Sequence, residues 1–135
     1  LREQACLNKP IIGICLGMQL LAEASYEHGF TKGLGLIPGE VSALTDPKWH
    51  IGWNTLKSVK EDKLIQVEND KTFYFNHSFA YTGSADYIVS VSHHHKDFAS
   101  IIRKDNVIGL QFHPEISQVP GRLLLDQIIS GMTDA

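Results

Sequence analysis

The chain has 135 residues, 43% of them hydrophobic, with a net charge of −3 and two cysteines. That apolar content suits one hydrophobic core at a common single-domain size, and the charge lacks blocks of one sign, so neither nucleic acid nor an anionic membrane is implied as a partner. No apolar run approaches the roughly 20 residues of a membrane-spanning helix and no secretory signal is visible; a disulfide between the two cysteines would silence the nucleophile described below, so a reducing cytoplasm is the consistent setting.

Leu1 to Asn8 reads as the end of an amphipathic helix. Pro10, Ile11 and Ile12 then lead as a short apolar run into Gly13-Ile14-Cys15-Leu16-Gly17, and Leu16 to Ala24 favours a helix. The pattern is strand, tight turn, helix, the construction of a G-x-S-x-G nucleophile elbow with sulfur in place of oxygen. Glycines on both sides allow close backbone packing around a strained central residue. At a helix N-terminus the thiolate of Cys15 is favoured and its pKa lowered, and the Leu16 N–H is expected to point at a developing oxyanion. A glycine-flanked cysteine is equally an ordinary core feature, so the elbow alone leaves both readings open.

Glu27 to Gly39 is rich in turns, with glycines at 29, 33, 35 and 39. Val41 to Leu44 reads as a strand and His50 to Asn54 as a loop entering the alternating stretch Thr55 to Val59. Trp53 in that loop marks either a binding surface or an anchor of the core. Asp62 to Asn69 predicts a short helical turn, and Lys71 to Ser78 is rich in strand-forming aromatics. Tyr87 to Ser92 and Phe98 to Arg103 read as strands, with Asp105-Asn106 turning toward a buried strand at Val107 to Phe112. These short paired strands suggest an antiparallel extension on a mainly parallel sheet.

His93-His94-His95 invites a metal, since imidazole is a ready ligand. Neighbours in an extended segment point to opposite faces, however, so the three rings do not converge and a solvated loop is expected. Pro120 to Met132 predicts a helix with a core stripe of Leu123, Leu124, Ile128 and Met132, capped by Ser117.

His113 and Glu115 follow the strand at 107–112, where α/β enzymes place their chemistry. A cysteine nucleophile needs a base, and the base needs a partner that fixes its tautomer and stabilises the imidazolium. Cys15, His113 and Glu115 fill these three roles, with Pro114 restricting the backbone between the last two. The bland alternative is a loop histidine beside a helix-start carboxylate.

Taken together, PIIGICLGMQ (10–19) and GLQFHPEISQ (109–118) resemble the class I, triad-type glutamine amidotransferases. KGLGLIPG (32–39), HIGWN (50–54) and FYFNHS (73–78) are similar more narrowly to the glutaminase subfamily that serves imidazole glycerol phosphate synthases. The resemblance implies a flavodoxin-like α/β fold, a mainly parallel sheet flanked by helices, and one amidotransferase domain over 1–135 that lacks the family's N-terminal strands. It also lacks the loop that donates the second oxyanion N–H, so this chain alone is expected to be inactive or barely active.

The resemblance further implies hydrolysis of L-glutamine, bound by Gln19, Glu27, Ser78 and Phe79, with no cofactor or metal. Gln19, one turn beyond Cys15 on the same helix, is near by geometry as well; Glu27 is equally read as a surface carboxylate. The implied partner is a (β/α)8-barrel cyclase that receives the ammonia, facing Trp53, Asn54, Tyr74 and Ile116. One departure is Ile116, where the family usually carries a lysine that makes charged contacts to the partner. An apolar side chain cannot make that contact, so coupling is expected to be altered or the partner to differ, as in related subunits that aminate surface sugars. A silent scaffold subunit is the remaining alternative.

Overall fold

The computed structural model describes residues 2–7, 9–27, 29–45 and 47–133. Its helices are α1 (Arg2–Cys6), α2 (Leu16–Leu20) and α3 (Gln118–Thr133). Its strands are β1 (Ile11–Ile14), β2 (Ala24–Ser25), β3 (Thr31–Lys32), β4 (Glu40–Ala43), β5 (His50–Thr55), β6 (Lys57–Ser58), β7 (Thr72–His77), β8 (Phe79–Thr82), β9 (Ile88–His94), β10 (Lys96–Lys104) and β11 (Val107–Leu110).

The central sheet runs β1-β11-β10-β9-β6, beside a four-stranded sheet β3-β2-β4-β8 and a two-stranded ribbon β5-β7. β1 pairs β11 in parallel, Gly13 opposite Gly109 and Ile14 opposite Leu110, and β2 pairs β4 in parallel. The other pairings are antiparallel, so the antiparallel extension foreseen from the short strands forms the larger part of the sheet. Residues adjacent along a strand face opposite sides, and this divides the core in two. Ile101, Ile108, Leu110 and Phe112 pack with Phe73, Phe75 and the α3 residues Leu124, Ile128 and Met132. Ile102 and Val107 pack with Met18, Leu21, Ile37, Val41 and Tyr81 on the side of α2.

Glycines let α2 lie against the sheet. A Cβ on Gly13 would stand 2.6 Å from the Gly17 carbonyl oxygen, and one on Gly109 would stand 2.7 Å from Met18 Cγ. Gly17 is different: a Cβ there meets nothing within 4 Å. Only the first glycine of the elbow is required by packing.

Several local expectations are corrected. The helix foreseen over 16–24 ends at Leu20, because the carbonyls of Leu20, Leu21 and Ala22 accept N–H groups from Leu34, from Leu36 and Ile37, and from Gly35. The glycine-rich turn thus occupies acceptors a longer helix would have used. The stretch at 50–54 is strand β5, laddered along its length to β7 with His50 opposite His77 and Trp53 opposite Tyr74. No helical turn forms over 62–69: the Asp62 carboxylate accepts the N–H groups of Leu64 and Ile65 and pairs with Arg103 at 2.9 Å. In α3 the stripe is Leu124, Ile128 and Met132, whereas Leu123 is exposed. Ser117 does not cap that helix, because its hydroxyl accepts from the Tyr74 N–H at 2.9 Å and donates to the His113 carbonyl. Of the helix read at 1–8, Arg2–Cys6 is helical, and Leu1 and Asn8 lie outside the described residues.

The glycine contrast gives a stability test. Gly13→Ala forces backbone apart and should lower the unfolding free energy by about 2 kcal/mol or more, while Gly17→Ala should leave it unchanged or raise it by roughly 0.5–1 kcal/mol. Urea denaturation of both variants measures this, and equal losses would refute the packing argument.

Candidate active site

Cys15 stands at the junction of β1 and α2 with φ 52° and ψ −107°. A positive φ is uncommon for a residue with a side chain and costs on the order of 1–3 kcal/mol unless its surroundings enforce it. The enforcement is visible: the Cys15 N–H donates to the Leu110 carbonyl at 2.7 Å, continuing the parallel β1–β11 ladder one residue past its end. The chain then reverses at once into α2, which leaves the thiol standing out from the end of the sheet.

From the same strand β11 the chain runs through Gln111 and Phe112 to His113. The His113 N–H donates to the Tyr74 carbonyl at 2.9 Å, and the Ser117 hydroxyl joins the His113 carbonyl to the Tyr74 N–H. This pins the histidine backbone to β7 from two sides. The imidazole Nδ1 lies 3.2 and 3.3 Å from the two Glu115 oxygens. A carboxylate only accepts, so Nδ1 carries the proton and Nε2 keeps the lone pair.

The thiol occupies a crevice of about 160 Å³ lined by Cys15, Leu16, Gln19, Glu27, Trp49, Asn76, His77, Ser78 and Phe79. Leu16, Gln19, Glu27, Ser78 and Phe79 stand here as the sequence leads one to expect, and Trp49, Asn76 and His77 join them. Two unforeseen neighbours touch the sulfur: it donates to the Asn76 carbonyl at 3.6 Å and accepts from the Gln111 amide at 3.8 Å. Among the described residues the His113 ring is not a hydrogen-bond partner of the sulfur. His113 and Glu115 do not line the crevice. The structure therefore joins His113 to Glu115 and carries both to the end of the strand beside Cys15, without closing the contact between sulfur and imidazole.

Gln111 was hidden in the sequence because it reads as one more position of an apolar strand. Its amide is fully buried and reaches Cys15 through Nε2 and Gln19 through Oε1, 3.4 Å from Gln19 Nε2. A buried amide inside a hydrophobic run was the available signal, since such a group requires partners. A larger groove of about 400 Å³ lies between α3 and Leu56, Val67 and Phe73, but it holds no nucleophile.

The thiol pKa moves opposite to expectation. Burial raises it above the ordinary thiol value, the Leu16 N–H pulls it down, the Glu115 and Glu27 charges push it up, and the Gln111 amide pulls it down. At five residues α2 offers little macrodipole, so loss of hydration wins and the resting group is a thiol.

The residues named for a partner surface sit elsewhere. Trp53 and Ile116 are half exposed, and Trp53 packs edge-on against Tyr74 with centroids 5.7 Å apart. Asn54 turns its amide toward the His93 carbonyl at 2.8 Å. The histidine run splits: His93 pairs with Asp97, His94 stacks on His50, and His95 turns at φ 66°.

The model of the glutamine amidotransferase class-I family matches residues 1–129. The chain belongs to the class I glutamine amidotransferases. It is 46% identical over 121 residues to the imidazole glycerol phosphate synthase subunit HisH of Lacticaseibacillus casei and 44% identical to that of Listeria monocytogenes, in each case over 87% of this chain. The chain spans 58% of the length of each of these relatives. Among solved structures, PurLQS from Thermotoga maritima superposes with a TM-score of 0.72 at 21% identity, over 96% of this chain and 65% of that one. A glutamine amidotransferase of the same organism superposes with a TM-score of 0.65 at 20% identity, over 98% of this chain and 60% of that one. At these identities the superpositions establish the amidotransferase fold. Among the described residues, no helix is long and apolar enough to cross a membrane.

Alkylation reads the resting thiol. With iodoacetamide at neutral pH, exposed Cys6 should react before Cys15, and labelling of Cys15 should climb as the pH passes the ordinary thiol range. Mass spectrometry after timed quenching follows both sites; faster labelling of Cys15 at neutral pH would mean a resting thiolate.

Proposed function

We propose that this chain carries the glutaminase site of an imidazole glycerol phosphate synthase, releasing ammonia from glutamine for a cyclase partner. One observation carries the chemistry: a cysteine held at positive φ on the strand end next to β11, whose continuation holds a histidine with its Nδ1–H directed at Glu115. The likeness to HisH subunits supports the choice of acceptor pathway.

In this reading glutamine enters the crevice with its side-chain carbonyl toward Leu16 and its amino and carboxylate groups toward Gln19, Glu27, Ser78 and Phe79. Because the resting sulfur is protonated, a base is obligatory. His113 Nε2 has the free lone pair for that proton, and Glu115 stabilises the imidazolium that results. The sulfur turns from the Asn76 carbonyl toward that ring as substrate arrives, in keeping with the long catalytic contacts of sites without substrate. Its electron pair attacks the amide carbon, and the resulting oxyanion takes the Leu16 N–H. Collapse of the tetrahedral adduct expels ammonia, protonated by His113, and leaves a γ-glutamyl thioester. Water, deprotonated by the same ring, then releases glutamate.

The chain is read as one amidotransferase domain acting in the cytoplasm as half of a heterodimer, with Trp53, Asn54, Tyr74 and Ile116 toward a (β/α)8-barrel partner. Ile116 favours a second reading, in which the ammonia serves another acceptor such as a sugar, because an exposed apolar side chain there suits a partner without a matching carboxylate.

A diazoketone analogue of glutamine should modify Cys15 and nothing else. In the full-length protein with its barrel partner, Cys15→Ser or His113→Asn should reduce glutamine hydrolysis by roughly a thousandfold or more, and Glu115→Gln by on the order of a hundredfold. Unmodified Cys15 together with undiminished turnover in these variants would reject the site. Hydrolysis without amination of the imidazole-forming ribonucleotide would reject the acceptor alone.

A further inference from the structure

Behind the crevice lies a group of histidines that the proposed chemistry does not use. His50 and His77 are each 4% exposed, and His50 Nδ1 lies 3.0 Å from His77 Nε2. Phe75 and Phe98 pack against both rings, and His94 stacks on His50 with centroids 4.3 Å apart. His77 itself lines the cysteine crevice.

The partners at the two ends of this pair fix the position of every proton. His77 Nδ1 lies 2.9 Å from the Phe79 carbonyl, which can only accept, so the ring carries its proton there and Nε2 is a lone pair. His50 Nδ1 must then donate to it, which leaves His50 Nε2 as an acceptor. That acceptor faces Asn54 Nδ2 at 3.4 Å. The Asn54 amide cannot be reversed, because its oxygen accepts the Thr55 N–H at 2.8 Å and its nitrogen also donates to the His93 carbonyl.

The chain of donors therefore runs one way, from Asn54 to His50 to His77 to the Phe79 carbonyl. On that same carbonyl oxygen converges Gln19 Nε2, at 3.1 Å, and Gln19 in turn touches Gln111, whose amide reaches the Cys15 sulfur.

We propose that Asn54 and His50 are positioning residues for the cysteine site: they hold His77 as the Nδ1–H tautomer, and through the shared Phe79 carbonyl they fix where the Gln19 amide stands beside Cys15. The role in glutamine binding rests on the proposed glutaminase reading, and the proton order does not.

The arrangement works only while both rings are neutral. A proton on His77 Nε2 would face the His50 N–H, and one on His50 Nε2 would face the Asn54 NH₂. Among the described residues, the titratable groups beside the pair are His94 from β9 and, lining the crevice with His77, Cys15 and Glu27; β10 sets the Phe98 ring against both. Burial first, and then the imidazoles of His77 and His94, bring His50 down from 6.5 to about 4; for His77 burial, with a smaller push from His94, outweighs the Phe79 carbonyl, which pulls the other way, and brings it likewise to about 4. The unfolded chain thus takes up these protons first, so the stability the pair contributes is complete above about pH 6.5 and is lost as the pH falls toward 4.

Nitrogen-15 histidine spectra of this chain at pH 7 test the proton order directly. His50 and His77 should both be neutral Nδ1–H tautomers, and finding either as Nε2–H or charged overturns the proposal. Asn54→Asp is nearly isosteric and only half-buried, so the fold is retained, but it replaces the donor facing His50 with an acceptor. His50 should then move its proton to Nε2, and the Gln19 side-chain amide resonance should shift; an unmoved Gln19 resonance also overturns the proposal. In the same variant the rate of Cys15 inactivation by the diazoketone analogue should fall about tenfold, the size of one misdirected hydrogen bond, while iodoacetamide labelling of Cys15 stays within about twofold. Equal change in both rates would mean a general structural effect and defeat the positioning role. If wild-type Cys15 ignores the analogue even with the barrel partner bound, the glutaminase reading fails, and the two spectroscopic outcomes still decide the linkage.

Discussion

The parallel register between β1 and β11 is the constraint on which the site depends. Placing Gly13 opposite Gly109 and Ile14 opposite Leu110 brings the last carbonyl of β11 under the Cys15 N–H, so one hydrogen bond terminates the ladder and holds the cysteine in its unusual backbone conformation. The same strand leads three residues later to His113. A slip of one residue would turn each side chain to the opposite face of the sheet, and the two groups would leave from different sides.

That register is protected by packing on both faces. α2 approaches the sheet so closely that side chains at Gly13 or Gly109 would collide with it, and Met18, wholly buried, fills the space above Gly109. α3 closes the other face, while Ser117 at its start is spent on tying His113 to β7. The strain at Cys15 is thereby distributed over contacts that reach both cores, the arrangement expected where a fold sustains an unfavourable backbone angle at a functional position.

The electrostatics of the crevice follow from its polar neighbours. The buried amides of Gln19 and Gln111 and the His77 ring stand about the crevice without offering the sulfur a positive charge, and carboxylates at Glu27 and Glu115 oppose its ionisation. Such a site keeps the nucleophile protonated until a base is brought to it. It also means that reactivity is governed by how the amides and rings are held, which in this fold is decided by partners on β5, β7 and β8 rather than by the elbow itself.

The sequence by itself determined the elements nearest the chemistry: the elbow at 13–17, the strand before His113, the His113–Glu115 pairing two residues apart, and the apolar spacing of Leu124, Ile128 and Met132. These are short-range patterns, in which glycine placement, hydrophobic period and a rigid proline act over a few residues. Only the tertiary structure decided that β5 is a strand, because its ladder partners on β7 lie 17 to 27 residues away in the chain. In the same way α2 stops at Leu20 because carbonyls are claimed by a turn that begins a dozen residues later. Burial, a property of the assembled core, reversed the thiol shift that a helix start had suggested. The proton order from Asn54 to the Phe79 carbonyl is likewise absent from any local motif, since each tautomer is chosen by a group that folding brings to it from elsewhere in the chain.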